Sequence, residues 1–179
     1  MLRSVWADGG RQGRKLHLGS DRGGCIVVSA LTDRSEDDGC VGVELLGRLG
    51  APVASFRADG AYDTRAVYAA LDEVRADPID IAIPPRRTAS SSRPGGGTWR
   101  HREAALLRID DVGRRQWRKE SGAHQQARAE NGMYRFKQIL GPRLRSRSEE
   151  GQQREAMIGV NILNRMTELG MPESVAVRS

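Results

Sequence analysis

The feature that most constrains this 179-residue chain is the change of hydrophobic period along residues 15–83. Lys15-Leu-His-Leu-Gly-Ser-Asp21 alternates apolar and polar residues, the period of a half-buried strand. Asp21-Arg-Gly-Gly24 is turn-forming and Cys25-Ile-Val-Val-Ser-Ala-Leu31 is rich in β-branched residues, so the two segments predict an antiparallel hairpin. The period then becomes helical. Val41, Leu45, Leu46 and Leu49 share a face, with Asp37 or Asp38 as cap and Gly50 as stop. Val53–Ala58 returns to strand character and ends on Asp59-Gly60. Thr64 is placed to cap a helix over Arg65–Val74 that buries Val67, Tyr68 and Leu71, and Ile79–Ile83 alternates again before Pro84-Pro85 ends it. Strand, strand, helix, strand, helix, strand indicates an α/β layer with a mixed sheet.

The flanks are simpler. Residues 1–13, with Gly9, Gly10 and Gly13, read as a loose start holding a short strand at Ser4–Ala7. Residues 86–100 are low in complexity and read as a flexible basic loop. A helix is predicted over Arg102–Gln116, its end weakened by Gly113. The best amphipathic helix covers 124–140, where Ala129, Met133, Phe136 and Leu140 form one stripe and Gly141-Pro142 a stop. Gln152–Leu169 is the last predicted helix, with Met157, Val160, Leu163 and Met166 along one face.

Composition narrows the partners. The 29 Lys and Arg against 23 Asp and Glu give a net charge of +6, but the charge is uneven. Residues 1–83 carry −3, residues 84–154 carry +10 and residues 155–179 carry −1. Only Lys15, Lys119 and Lys137 are lysines; the remaining cations are arginines, which suit planar bidentate contact with phosphate. A basic stretch beside an acidic half is the footprint of a polyanion binder, or simply of a solvated arginine-rich surface. No apolar run approaches the ~18 residues of a membrane span, no signal peptide opens the chain, and two cysteines give no disulfide framework, so a reducing cytoplasm is expected.

Two constellations carry chemistry. Asp59 ends a strand and opens a helix, the place where open α/β folds build their sites, although Asp-Gly is also a common turn and Asp63 or Thr64 also suits a helix cap. Glu130 and Lys137 lie two turns apart on one face of the predicted helix 124–140, beside the apolar stripe. Either alone reads as ordinary surface chemistry. Together, carboxylates from separated elements gather hard divalent cations, and two such metals would clamp the oxygens of a phosphodiester in an in-line displacement. His17, His101 and His124 are too scattered for a zinc pair, and His17 reads as a strand-face residue.

Several stretches are recognisable together: Arg14-Lys-Leu-His-Leu-Gly-Ser-Asp21, Ala58-Asp-Gly-Ala-Tyr-Asp-Thr-Arg65, Ile83-Pro-Pro-Arg86, Gly113-Arg-Arg-Gln-Trp-Arg-Lys119, Ala129-Glu-Asn-Gly-Met-Tyr-Arg-Phe-Lys137 and Leu163-Asn-Arg-Met166. In this order the chain resembles bacterial insertion-sequence transposases of the Asp-Asp-Glu class, in the group around insertion sequences four and five. The resemblance implies a ribonuclease-H-like fold and DNA nicking and strand transfer dependent on two Mg²⁺ or Mn²⁺ ions. It places Asp59 at the second catalytic aspartate and Glu130 at the glutamate, both as metal ligands. It also makes Lys137, Arg86, Arg118, Lys119 and Arg135 candidate DNA contacts. Transposon ends and target DNA are the implied partners, with self-association or pairing with an intact transposase.

The departures from the family pattern set further expectations. Nothing in Met1–Gly13 matches the segment bearing the first catalytic aspartate; Asp8, after the strand-like Ser4–Ala7, is a weak substitute. The resemblance thus divides the chain into an irregular N-terminal remnant (1–13), a partial catalytic domain (14–175) with a basic insertion at about 84–123, and a tail (176–179). It implies an N-terminally truncated domain that lacks its first, central strand and is inactive alone. The alternative is a non-catalytic DNA-binding remnant able to inhibit intact transposase. Ala123 and Gln126 stand where the glutamate helix would carry tyrosine and arginine, and Gly132 inside it costs about 1 kcal/mol against alanine.

Overall fold

The computed structural model describes residues 2–7, 13–90, 95–122, 127–141 and 143–170, with backbone alone for 2–7 and 127–131. The elements run β1 (Leu2–Ala7), β2 (Arg14–Ser20), β3 (Ile26–Asp33), α1 (Asp38–Gly47), β4 (Val53–Arg57), α2 (Arg65–Val74), β5 (Arg75–Ala82), α3 (Trp99–Glu120), α4 (Ala127–Leu140) and α5 (Glu149–Glu168). Among the described residues the result is a mixed α/β fold with two small sheets and five helices, antiparallel β1-β2-β3 and parallel β4-β5.

The predicted hairpin is present. Asp21 closes it, its N–H donating to Cys25 O at 2.9 Å while its Oδ1 accepts the Cys25 N–H at 2.9 Å. Gly24 supplies the positive φ of 90° that the turn requires. The strand predicted at Ser4–Ala7 starts two residues earlier, and β1 pairs along β2 from Leu2 opposite Gly19 to Ala7 opposite Arg14. Where the resemblance implied a missing first strand, the described residues place β1 along the β2 edge, which satisfies its backbone groups.

With partners on both edges, β2 is buried throughout, not half-buried as its alternation suggests. Leu16 and Leu18 pack with Met133 and Phe136 of α4 and with Ala156, Val160 and Leu163 of α5. The polar face meets polar partners: Lys15 Nζ lies 2.7 Å from Asp38 Oδ1 and donates to Glu36 O at 3.0 Å. On the Leu16–Leu18 face, Arg14 pairs with Asp33 at 2.8 Å and with Glu149 of α5 at 3.3 Å. Alternation here separates two buried environments, not core from solvent.

The second core lies between α1, α2 and the parallel sheet, built from Val41, Leu45, Leu46, Phe56, Tyr62, Val67, Tyr68, Leu71, Ile79 and Ile83. Asp37 caps α1, accepting the Cys40 N–H at 3.1 Å. Strand β5 begins at Arg75, four residues before the predicted Ile79, and its pairing jumps from Val53–Arg75 to Ser55–Asp80. Pro78 falls within that interruption, where a residue without an N–H is tolerated.

Helix α3 also exceeds its predicted span. It starts at Trp99, and Gly113 (φ 79°, ψ 156°) breaks it internally without ending it. Arg108 and Glu120, joined at 2.9 Å, would stand about 18 Å apart along a straight helix, so the second limb folds back on the first. The fold-back buries Trp117 beside Ala82 and Ala105. The basic loop predicted over 86–100 is anchored at its far end: Thr98 N–H donates to Asp72 Oδ1 at 2.9 Å and its hydroxyl to Tyr68 O at 2.5 Å.

Candidate active site

Beyond Arg57 the β4 backbone makes one more link, Ala58 N–H to Ala82 O at 3.4 Å, so Asp59 stands just past the carboxyl edge of the parallel sheet. Its Oδ1 accepts the Ala61 N–H at 2.8 Å and caps the single 3₁₀ turn Gly60–Tyr62. A Cβ on Gly60 would sit 3.0 Å from Pro84 O, so this turn and the Ile83–Arg86 segment after β5 are in close contact. Thr64 is the α2 cap, its hydroxyl accepting the Val67 N–H at 3.3 Å.

Asp63 has a different role from capping. Its side chain is fully buried; Oδ1 accepts from Arg102 Nε at 2.8 Å and Oδ2 from the Arg86 N–H at 3.1 Å. The Arg102 guanidinium also lies over the Trp99 ring, 4.7 Å from its centroid, and Arg65 lies over the same ring at 4.7 Å. A buried carboxylate needs such partners, and stripping one from a buried pair costs about 3–5 kcal/mol. Burial, and then the Asp63 charge, push the neighbouring Tyr68 phenol upward.

Arg86 is exposed, yet its backbone is held from both directions. Asp63 takes its N–H, while Arg114 donates to Pro85 O at 2.6 Å and to Arg86 O at 3.0 Å. Arg86 Nη2 donates to Ala61 O at 3.4 Å. Asp59 and Arg86 thus grip opposite ends of one residue, the carboxylate on the Ala61 N–H and the guanidinium on its C=O. Both the Asp59 carboxylate and the Arg86 guanidinium are anchored on the turn at the sheet edge.

His17 links this turn to the hairpin. It is wholly buried, with Nε2 2.9 Å from Thr32 Oγ1 and Nδ1 3.3 Å from the Tyr62 hydroxyl. With the Lys15 and Asp33 carbonyls at 3.5 and 3.3 Å as alternative acceptors for its one proton, the Thr32 hydroxyl is suited to accept from Nε2–H while Nδ1 accepts from Tyr62. Burial pulls the His17 pKa down to about 4, opposed by Asp38 and aided by Lys15. The imidazole is a neutral strut, not a ligand, and only its apolar-flanked position within Lys15-Leu-His-Leu18 signalled burial.

The remaining candidates are spread over other elements. Glu130 is the fourth residue of α4, and its side chain, like the whole of Asp8, lies outside the described residues. Lys137 is half-buried two turns further along, lining a groove with Leu16, Phe136, Leu140 and Arg154. Arg135 is tied to α5, its Nη1 donating to Thr167 Oγ1 at 2.9 Å. Arg118 and Lys119 are exposed on the second limb of α3. Among the described residues, no group of three or more His, Cys, Asp or Glu side chains is gathered to hold a metal ion. Of the predicted contacts, the structure joins Asp59 with Arg86. It adds Asp63, Arg102 and Arg114, whose partners lie 23–39 residues away and leave no local signal.

No helix of the described residues is long and apolar enough to cross a membrane. No solved structure matches the chain. The family model of the transposase DDE domain matches residues 4–165, most of the chain and including Asp59, Arg86 and Glu130. On that match, and with the Asp59 turn at the sheet edge, the chain belongs to the transposase DDE domain family.

Proposed function

We propose that this chain acts on DNA as a catalytic-domain member of the insertion-sequence four/five-like group, with ribonuclease-H-like architecture. Asp59 and Glu130 serve as its carboxylate metal ligands. The carrying observation is the shared Ala61, whose N–H is held by the Asp59 carboxylate and whose C=O is held by the Arg86 guanidinium, at the carboxyl edge of a parallel sheet. Asp59, half-buried and oriented by a backbone N–H, has the chemistry of a hard-cation ligand. Mg²⁺ or Mn²⁺ supplies, when bound, polarisation of the phosphoryl oxygens and stabilisation of the departing one. Arg86 holds a non-bridging phosphate oxygen. Arg118, Lys119, Arg135 and Lys137 belong to the same DNA-facing assignment, and the protein works in the cytoplasm.

The reading further assigns no strand-cleaving activity to these 179 residues by themselves. Asp8 is the sole acidic residue before Asp21, and on this reading it is a weak substitute for the family's first aspartate. The purified chain is expected to bind duplex DNA, more weakly as salt rises, and to leave supercoiled plasmid intact in Mg²⁺ or Mn²⁺. Nicking that disappears on Asp59→Asn and Glu130→Gln overturns the inactivity. Absence of any salt-sensitive DNA binding overturns the DNA-directed reading itself.

A further inference from the structure

We infer that the buried Asp63–Arg102 pair and Arg114 together form a positioning clamp for Arg86, setting its guanidinium as a DNA-phosphate contact beside Asp59. The inference rests on the DNA-directed reading above and names the device that would make it work. Arg86 lies on an exposed segment after two prolines, where a long side chain would ordinarily sample many rotamers. Here its N–H is held by Asp63 and its C=O by Arg114. Arg114 also holds the preceding carbonyl, Pro85 O. Asp63 is in turn fixed by Arg102 Nε at 2.8 Å, and Arg102 is braced against the Trp99 ring at 4.7 Å.

The guanidinium uses only Nη2 among the described residues, toward Ala61 O at a long 3.4 Å. Its Nε and Nη1 have no partner among the described residues, and each can donate to a phosphate oxygen. Gly60 suits the close approach of the two loops, since a Cβ there would sit 3.0 Å from Pro84 O. Arg102 and Arg114 are positioning residues: both are turned inward onto protein acceptors, and only Arg86 faces outward.

The test is anisotropy of a fluorescein-labelled duplex with the full 179-residue chain, titrated between about 50 and 200 mM salt. Arg86→Ala should weaken binding about tenfold and reduce the slope of log affinity against log salt by about one. Arg102→Met should reproduce both changes, with no further loss when combined with Arg86→Ala, while Arg102→Lys recovers part of the affinity. Arg114→Met should behave like Arg102→Met and decides the matter if the latter does not fold. Unaltered binding in Arg86→Ala overturns the inference and leaves the DNA-directed reading standing. Losses that add fully between Arg102 or Arg114 and Arg86 variants, with the salt slope unchanged, assign the clamp a structural role alone and also overturn it. If the unaltered chain shows no salt-dependent binding, both fall together.

Discussion

Acid sensitivity through His17 is the clearest consequence of the packing between the hairpin and the Asp59 turn. The imidazole is fully buried and hydrogen-bonded as its neutral form, with a pKa lowered to about 4 against 6.5 for a free histidine. Between those values the unfolded chain binds a proton that the folded chain refuses, so stability rises with pH. The contribution is fully present above about pH 7, falls as pH drops from 6.5 toward 4, and changes no further below that. Linkage gives a loss of about 1.4 kcal/mol at pH 5.5 and about 2.6 kcal/mol at pH 4.5, relative to pH 8. Urea melts at these three pH values, on the chain and on His17→Gln, isolate the effect because the carboxylates titrate in both. The variant should lose stability at pH 8 yet fall less steeply on acidification. Parallel pH profiles for the two proteins, or a His17 titration by NMR at or above 6.5, would refute the neutral strut.

Two further substitutions probe the packing that positions the same turn. A Cβ at Gly42 would lie 2.8 Å from the Tyr62 ring, so Gly42→Ala should cost about 1–3 kcal/mol in a denaturant melt. Asn164 of α5 bonds both backbone groups of Ile26, accepting its N–H at 2.7 Å and donating to its C=O at 2.8 Å. Asn164→Ala should therefore cost about 2 kcal/mol and expose the β3 amides to hydrogen exchange before the rest of the sheet.

What the sequence made legible was whatever is written in short range. The hairpin follows from Asp21 and Gly24, the α1 cap from Asp37, and the Asp59 turn from Asp-Gly at a strand end. Interactions between distant segments were not legible. Asp63 looks like a helix cap until Arg102, 39 residues later, is seen against its carboxylate. Lys15 and His17 read as the polar side of a half-buried strand until β1 and α1 enclose them. Gly113 looks like a helix end, because nothing nearby reveals that Arg108 and Glu120 meet across it. Of the two proposed metal ligands, Asp59 is legible from its turn, and Glu130 from its helical spacing to Lys137.

Paramagnetic broadening by Mn²⁺ tests, without requiring turnover, the proposal that Asp59 and Glu130 are ligands of one divalent-metal site. Substoichiometric Mn²⁺ should broaden the backbone amides around Asp59 and those around Glu130 together, and Asp59→Asn should abolish both effects. Broadening confined to the acidic Asp33–Asp38 segment, or of one candidate set without the other, would contradict the account.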